Sequence, residues 1–279
     1  MSRKVSIFFI IIALFFAWIF SGWPVIWQNP RIPPEISEAL AAGSIRQDYY
    51  AESLGASTTT AGTYEDKVTL SFTPDDNSTY LLLASWVMKS SGTSYEVKGR
   101  LERTTGTSKT FNVQTYFPKD ATDYIAGGAV AIDTFGSSPG SQTYKIQYII
   151  TSGGTGYIKD AKVIAIKLGD NDEYAQDEGT STTQSTSYQD KTTLTFTPDS
   201  QGDYVILAGA GIASNNVNYD VRAQLTIDGT AYSNVNIEPV TYYNTYWWGM
   251  VKRVNLTAAS HTIKIQYSIE NATATAGIK

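Results

Sequence analysis

Cysteine is absent from this chain of 279 residues, and His261 is its single histidine. Without cysteine the protein can form no disulfide, no thiolate nucleophile and no thiolate metal site. A Ser–His catalytic pair would have to use His261, which lies in a turn just before a predicted strand. A lone histidine in such a turn usually has a structural role or is solvated. No other set of residues suggests catalysis, so we predict a protein that is not an enzyme.

An excess of positive charge is also absent, since the formal net charge is −5. Nucleic-acid binding normally requires a basic face, so we expect no nucleic-acid partner. Beyond residue 46 no stretch keeps a helical spacing of apolar residues, whereas Thr, Ser, Gly and Tyr are plentiful. This composition favours strands and turns over helices.

Residues 1–27 are predicted to form a signal peptide or a membrane-anchor helix. Arg3 and Lys4 precede an uncharged run, Val5–Trp27, which is long enough to span a bilayer. Cleavage after Ala41 is the alternative, although that leader would be long for a signal peptide. Either reading predicts an exported protein, extracellular or at the cell surface, which contacts the membrane through this helix if it is uncleaved. Residues 28–46 are predicted to be a Pro-rich spacer.

An internal repeat is the strongest signal in the sequence. The segment Tyr64–Pro74 returns as Tyr188–Pro198, at an offset of 124 residues. Near the other end Tyr144–Tyr148 returns as Ile263–Tyr267, at an offset of 119. We attribute the drift mainly to a shorter loop in the region of 136–142. The sequence therefore predicts two homologous domains, repeat 1 (47–169) and repeat 2 (170–279).

Each repeat alternates apolar and polar residues with a period of two, which is typical of strands with one buried face. Val68, Leu70 and Phe72 alternate in this way with polar neighbours. Repeat 1 contains about eight such segments, separated by turns rich in Gly, Pro, Asp and Ser. We predict an all-β protein of two tandem antiparallel jelly-roll-like β-sandwiches. An immunoglobulin-like sandwich is the alternative.

Repeat 2 is predicted to lack its last strand. Aligning Lys159 with Lys279 leaves residues 160–168 of repeat 1 without a counterpart. Ile164, Ile166 and Leu168 lie on one face of that strand, which we interpret as its buried face. Repeat 2 should then be marginally stable, with an open apolar groove. Two explanations are open, a truncated reading frame or fragment, and self-association by strand donation from another subunit.

Aromatic residues provide the candidate ligand site. Tyr242, Tyr243 and Trp247 fall within a short aromatic-rich stretch of repeat 2. Exposed rings of this kind stack on sugars or anchor a protein partner, whereas packing in the core is the alternative. Repeat 1 has Ile125-Ala126 in the place that we align with Trp247-Trp248, so the fold does not require tryptophan there.

Acidic residues cluster between the repeats, where Asp170, Asp172 and Glu173 could bind a structural Ca²⁺ through their oxygen atoms. A solvated linker is the alternative. Asn77 begins the triplet Asn-Ser-Thr on a predicted turn and is the best of three candidate glycosylation sites.

The segment Leu256–Tyr267, with the sequence LTAASHTIKIQY, resembles the "L-x-A-G-x-H-x-I-x-[LI]-x-[YF]" strand pair of non-catalytic carbohydrate-binding modules with jelly-roll folds. In repeat 1 the corresponding segment keeps only the apolar alternation at its end. The resemblance implies a structural Ca²⁺ and glycan binding through loop aromatics. Trp247, Tyr242 and Tyr243 would be the nearest equivalents of those aromatics.

Taken together, these features predict a non-enzymatic binding or adhesion protein of the cell surface, with a glycan or a protein as ligand and a glycan as the preferred candidate. Two alternatives remain open. One is a structural subunit of an extracellular fibre or sheath assembled by strand pairing. The other is an accessory module of a larger exported enzyme.

Overall fold

The computed structural model describes residues 48–118, 121, 124–151, 153–239 and 244–279. Residues 48–279 form one compact unit. The predicted leader and spacer lie outside the described residues. Within the described ranges, no helix has the length and hydrophobicity that crossing a membrane requires.

The described residues of repeat 1 form nine strands, several of them close to the predicted ones. They are β1 (Asp48–Ser53), β2 (Ser57–Thr59), β3 (Glu65–Phe72), β4 (Thr79–Ser90), β5 (Glu96–Arg103), β6 (Lys109–Tyr116), β7 (Ile125–Thr134), β8 (Gln142–Thr151) and β9 (Gly156–Lys167). Those of repeat 2 form eight strands. They are β10 (Ser181–Thr183), β11 (Gln189–Phe196), β12 (Gly202–Ser214), β13 (Val221–Ile227), β14 (Thr230–Ile237), β15 (Tyr246–Leu256), β16 (His261–Ile269) and β17 (Ala276–Ile278).

Both repeats arrange their strands in the same two antiparallel sheets. The back sheet has the order β1-β9-β4-β7 in repeat 1, with β2 also pairing with β9, and β10-β17-β12-β15 in repeat 2. The front sheet has the order β3-β8-β5-β6 in repeat 1 and β11-β16-β13-β14 in repeat 2. Chain order and sheet order together give the two interlocked Greek keys of a jelly roll. The prediction of an all-β chain with antiparallel sheets is confirmed.

The alternating pattern buries the expected face of β3 in repeat 1. Val68, Leu70 and Phe72 are buried, and the ring of Phe72 stacks on Tyr49 with the centroids 4.1 Å apart. Each repeat has its own apolar core between its two sheets. The spacing of two residues therefore decides which side chains meet inside the sandwich.

The core tryptophan lies on a different strand in each repeat. Trp86 lies directly opposite Gly127 across the β4–β7 pair, whereas Ala210 lies opposite Trp248 across the equivalent β12–β15 pair. A Cβ added at Gly127 would lie 2.2 Å from Nε1 of Trp86, so a larger residue cannot share that space. The tryptophan thus lies on β4 in repeat 1 and on β15 in repeat 2. In both repeats the cross-strand pair combines one large and one small residue.

This pairing corrects the alignment of Trp247-Trp248 with Ile125-Ala126. Their structural counterparts are Ala126 and Gly127, at an offset of 121. The first change of offset comes at the turn between β5 and β6, where residues 104–108 are replaced by the two residues Asp228-Gly229. Both have positive φ, 51° and 78°, as a tight type I′ hairpin turn requires. The remaining change of offset, from 121 to 119, falls in the loop before β8.

The closing strand of repeat 2 is short, but it is present. β17 pairs with β10 and β12 in the way that the first part of β9 pairs with β2 and β4. The prediction of a missing last strand is therefore wrong for the beginning of that strand. Two segments of repeat 1 have no counterpart among the described residues of repeat 2. They are β1 and residues 160–167 of β9.

The buried face of β9 also differs from the prediction. Ala161, Val163 and Ala165 point into the core of repeat 1 and are fully buried. Ile164, Ile166 and Leu168 lie on the opposite face of the back sheet, in a separate apolar cluster with Leu207 of repeat 2. The order of residues in the strand is compatible with either face, and the small residues point inward because the core already holds large aromatic rings.

Two side-chain amides of repeat 2 bind the backbone of repeat 1. Asn244, which is fully buried, accepts a hydrogen bond from the Phe117 N–H at 3.0 Å and donates to the Phe117 carbonyl at 3.3 Å. Gln176 accepts from the Ile132 N–H at 2.8 Å and donates to its carbonyl at 3.2 Å. Each amide thus satisfies both polar groups of one residue, as a neighbouring strand would. These paired bonds fix the two sandwiches against each other.

Candidate functional site

The front sheet of repeat 2 carries a shallow polar depression of about 400 Å³ on its outer face. It lies across β13 and β16 and reaches the turn before β14. Its lining residues are polar or small, and they are Gln224, Thr226, Asp228, Gly229, Ala231, Thr262, Lys264 and Gln266. We refer to this site as the polar depression.

Repeat 1 carries longer side chains at the equivalent positions of its front sheet. On β5, Arg100 and Glu102 occupy the positions of Gln224 and Thr226 on β13. The guanidinium of Arg100 lies 2.5 Å from Glu102 and donates through Nε to Gln147 at 2.9 Å. In repeat 2 Gln224 donates to Gln266 instead, and the shorter Thr226 is buried.

A chain of hydrogen bonds holds the side chains of the depression. Gln224 Nε2 donates to Oε1 of Gln266 at 2.7 Å, and Gln266 Nε2 donates to Oδ1 of Asp190 at 2.6 Å. Lys264 Nζ donates to the other oxygen of Asp190 at 2.6 Å, and this bond is the main reason why the pKa of Asp190 lies below its usual value. The amides and the ammonium are therefore oriented before any ligand arrives.

His261 contacts Asp228, one of the lining residues of the depression. Its Nδ1 is 2.6 Å from Asp228, and Nε2 lies 3.2 Å from the carbonyl oxygen of Thr257. Asp228 also accepts the N–H of Thr262 at 2.8 Å. The bond with Asp228 raises the pKa of His261 and lowers that of Asp228. Both ring nitrogens have protein partners, which agrees with the predicted structural role of this histidine.

The predicted aromatic platform is described only in part. Tyr242 and Tyr243 lie outside the described residues. Trp247 is half-buried, and its indole covers Gly209, where an added Cβ would lie 2.5 Å from Cη2 of the ring. Its Nε1 edge lies against Gly128 of repeat 1, where an added Cβ would be 3.1 Å away. The ring of Trp247 therefore packs within repeat 2 at Gly209 and contacts repeat 1 at Gly128, and ligand binding by the rest of the ring stays a prediction.

The predicted metal ligands do not come together. Asp170 and Glu173 are exposed, and Asp172 accepts a hydrogen bond from the N–H of Gly169 at 2.7 Å. Over the part of the chain that the structure describes, no group of three acidic or histidine side chains is arranged to hold a metal ion. The three residues are near one another in sequence, but the loop gives their carboxylates different surroundings.

Asn77, the predicted glycosylation site, is exposed in the turn between β3 and β4. Its φ of 51° lies in the left-handed region that asparagine tolerates better than most residues. Its N–H is bonded to the carbonyl of Gly136 at 3.0 Å. The side chain is accessible, and its modification stays a prediction.

Sequence reasoning did not find the polar depression. The signal was available in the repeat itself, because an offset of 124 aligns Arg100 with Gln224 and Glu102 with Thr226. Loss of an oppositely charged pair on an exposed strand face predicts a more open surface. What the offset alone does not give is which neighbouring strands border the gap.

Comparisons with known proteins leave the family open, since no protein-family pattern and no curated protein matches the chain. Several solved structures are similar in outline. The tandem CBM22 domains of Xyn10C from Paenibacillus barcinonensis align over 85% of this chain and 99% of theirs, at 7% identity and a TM-score of 0.26. The tandem CBM51 modules of a family 98 glycoside hydrolase from Streptococcus pneumoniae align over 79% and 82%, at 11% identity and a TM-score of 0.21.

A virus structure is similar in the same way. The Sulfolobus Turreted Icosahedral Virus structure aligns over 85% of this chain and 61% of its own, at 10% identity and a TM-score of 0.31. Scores this low carry no argument about function. The jelly-roll assignment therefore rests on the strand order of the chain itself.

Proposed function

We propose that this chain is an exported, non-enzymatic binding protein of the cell surface, and that repeat 2 binds a glycan in the polar depression. The observation that carries the proposal is the replacement of the Arg100–Glu102 pair by Gln224 and Thr226. In repeat 1 the charged side chains of Arg100 and Glu102 pair with each other at this place, whereas in repeat 2 the neutral amides of Gln224 and Gln266 line it. A role in adhesion follows if the predicted leader holds the protein at the membrane.

The chemistry of the depression suits sugar hydroxyl groups, which both donate and accept hydrogen bonds. Gln224 and Gln266 offer amide donors and acceptors, and Lys264 a cationic donor. The volume falls within the range of roughly 300–1,000 Å³ that is common for small-ligand sites. Because the amides are already ordered by Asp190, binding would cost little side-chain entropy.

A glycan array with the full chain tests the proposal. The double variant Gln224→Arg/Thr226→Glu rebuilds the repeat 1 surface, and we expect it to abolish binding while the fold is retained. The matched control Gln201→Arg/Thr197→Glu makes the same changes at exposed positions outside the depression and should bind like the unmodified protein. Absence of any glycan signal, or equal binding by both variants, would contradict the proposal.

A structural subunit of a fibre or sheath is the second candidate, because among the described residues the first part of β12 has a strand partner only on its β15 side. Electron microscopy of the purified chain tests this candidate. Filaments with a regular repeat would support it, and dispersed single particles at high protein concentration would argue against it.

A further inference from the structure

A group of lysines and tyrosines lies on the outer face of the back sheet of repeat 1. On β9, Tyr157 and Lys159 flank Ile158, which is fully buried, so their own side chains point outward. Lys89 on β4 lies directly opposite Tyr157 and therefore shares this outer face. Tyr124, which precedes β7, is 40% exposed and lies beside them. We refer to Lys89, Tyr124, Tyr157 and Lys159 as the Lys–Tyr cluster.

The two rings hold the two ammonium groups of the cluster. Lys89 Nζ lies 4.8 Å from the ring centroid of Tyr124 and 4.9 Å from that of Tyr157. Lys159 Nζ lies 4.7 Å from the centroid of Tyr124. Attraction to a ring face orients an ammonium group, but unlike an ion pair it leaves the positive charge uncompensated. The cluster therefore presents two oriented cations beside one ring.

Acidic residues border the cluster but compensate its charge only in part. Lys159 Nζ is 3.7 Å from Oδ2 of Asp160. Among the described residues no carboxylate lies within 4.0 Å of Lys89 Nζ. Further along β9, Lys162 Nζ lies 3.9 Å from Oε2 of Glu52. The surface with uncompensated positive charge is thus small, and it belongs to a chain whose net charge is −5.

The fold does not require these side chains, as repeat 2 shows. There the first lysine of the cluster and the tyrosine opposite it are replaced by Ala213 and Gly277. Thr245 replaces the other tyrosine, and Lys279 stands in the place of the second lysine. Repeat 2 forms the same sheet without either ring. Packing of the sandwich therefore does not account for the cluster.

Two cations next to two phenol groups match a ligand that combines carboxylate and hydroxyl groups. The ammonium groups of Lys89 and Lys159 donate charge-assisted hydrogen bonds to a carboxylate. The hydroxyls of Tyr124 and Tyr157 have no hydrogen-bond partner among the described residues, and they both donate to and accept from sugar hydroxyls. An acidic sugar carries both kinds of group on one ring.

The small extent of the positive surface disfavours dense polyanions. A chain with a phosphate or sulfate on every unit would place further anions next to Asp160 and Glu52, on a protein that is itself acidic. A polysaccharide in which neutral sugars separate the acidic ones avoids this repulsion. Its single carboxylates meet the lysines, and its neutral sugars lie next to the bordering acids.

We propose that the Lys–Tyr cluster of repeat 1 binds an acidic polysaccharide in which carboxylate-bearing sugars alternate with neutral ones. Lys89 and Lys159 hold the carboxylate. Tyr124 and Tyr157 orient the lysines and bond to the neighbouring hydroxyl groups. The proposal concerns a second site, and it does not depend on glycan binding at the polar depression of repeat 2.

The test measures binding of the full chain to hyaluronan, in which neutral and carboxylate-bearing sugars alternate. We expect saturable binding that weakens as salt rises. Carboxyl-reduced hyaluronan keeps the same sugars without their charge and should bind about tenfold more weakly or not at all. Failure of hyaluronan to bind, or equal binding of the reduced polymer, would contradict the proposal.

Substitution of the lysines places the site on the protein. Lys89→Gln/Lys159→Gln should weaken hyaluronan binding about tenfold or more, because both charged donors are lost. The matched control Lys98→Gln/Lys145→Gln changes the net charge equally on the front sheet of the same repeat and should bind like the unmodified protein. Thermal unfolding checks that both variants are folded. Equal weakening by the two variants would show that only overall charge matters, and the proposal would fail.

The rings and the class of polyanion are tested separately. Tyr124→Leu/Tyr157→Leu keeps the net charge but removes the phenol groups, so we expect binding several-fold weaker than in the unmodified protein. Unchanged binding would argue against the role of the rings. Dextran sulfate and oligodeoxythymidine should bind more weakly than hyaluronan. Tighter binding of either one would assign the cluster to a dense polyanion and overturn the proposal.

One further variant keeps this site distinct from the polar depression. Gln224→Arg/Thr226→Glu, which alters the depression without changing the net charge, should bind hyaluronan like the unmodified protein. Failure of glycan binding at the depression would then leave hyaluronan binding intact, and the reverse also holds. If this variant loses hyaluronan as strongly as Lys89→Gln/Lys159→Gln is expected to, the polymer binds at the depression, and the proposal for the Lys–Tyr cluster is wrong.

Discussion

Phe72 in repeat 1 and Phe196 in repeat 2 end equivalent strands, yet their surroundings differ. Phe72 is buried and its ring lies 4.1 Å from Tyr49 and 5.1 Å from Tyr80. Phe196 is partly exposed, with Tyr204 at 6.0 Å. The difference follows from the neighbouring strands, because repeat 1 has β1 and the second part of β9, and repeat 2 shows neither among its described residues. The same strand order can therefore bury an aromatic ring in one repeat and leave its equivalent partly exposed in the other.

The largest expected effect on stability concerns Trp86, the core tryptophan of repeat 1. Trp86→Ala should destabilise repeat 1 by about 3–5 kcal/mol, because the indole is fully buried. The triple variant Trp86→Ala/Gln114→Val/Gly127→Trp installs the residues of repeat 2 and should recover at least half of that loss. Hydrogen exchange resolved by repeat measures both changes. No recovery in the triple variant would show that the two arrangements are not interchangeable.

The comparison of the two phenylalanines gives the next effect. Phe72→Ala should cost about 3–5 kcal/mol, and Phe196→Ala at least about 1 kcal/mol less, because the exposed ring loses less contact. Denaturant unfolding followed separately in each repeat provides the measurement. Equal costs would mean that the open side of repeat 2 contributes as much to stability as the closed side of repeat 1.

The amide that joins the repeats should have a moderate effect. Asn244→Ala leaves the N–H and C=O of Phe117 without their partners, at a cost of about 1–3 kcal/mol in the contact between the repeats. Residual dipolar couplings should then report a less fixed orientation of the two sandwiches. The control Asn234→Ala removes an exposed amide on β14 and should leave the couplings unchanged. A fixed orientation in Asn244→Ala would contradict the role we give this residue.

The smallest effect is a pH dependence confined to repeat 2. The pKa of His261 is raised above 6.5, so its stabilisation is complete below that pH and is lost as the pH rises through the raised pKa. The pKa of Asp228 is lowered below 3.8, so its stabilisation is present above that pH and is lost as the pH falls. Repeat 1 has Gln142 at the position of His261, paired with Phe72 as His261 pairs with Phe196.

His261→Gln should therefore lower Tm most between these two pKa values. The difference in Tm from the unmodified protein should narrow as the pH rises through the raised pKa of His261. Thermal unfolding at a series of pH values measures it. A difference that stays constant across this range would show that the histidine acts by its shape and not by its charge.

Much of the fold could be predicted from residue order alone. Alternation in segments such as Lys67–Thr73 marked the strands, and Asp228-Gly229 is a tight-turn pair. The face of the closing strand could not be predicted, because Val163 and Ala165 alternate with Ile164 and Ile166, which are at least as apolar. The polar depression was missed for a related reason. The identity of a Gln or Thr on a strand does not show which side chains of the neighbouring strands lie beside it.

The sequence by itself determined the strand period, the duplication and the absence of thiol chemistry, because these depend on residue type and spacing along the chain. Only the tertiary structure decided which of two apolar faces is buried and which strand supplies the tryptophan. Those features depend on the volume and hydrogen bonds available between segments far apart in the chain. The spacing of apolar residues within one segment does not depend on whether a strand distant in sequence packs against it.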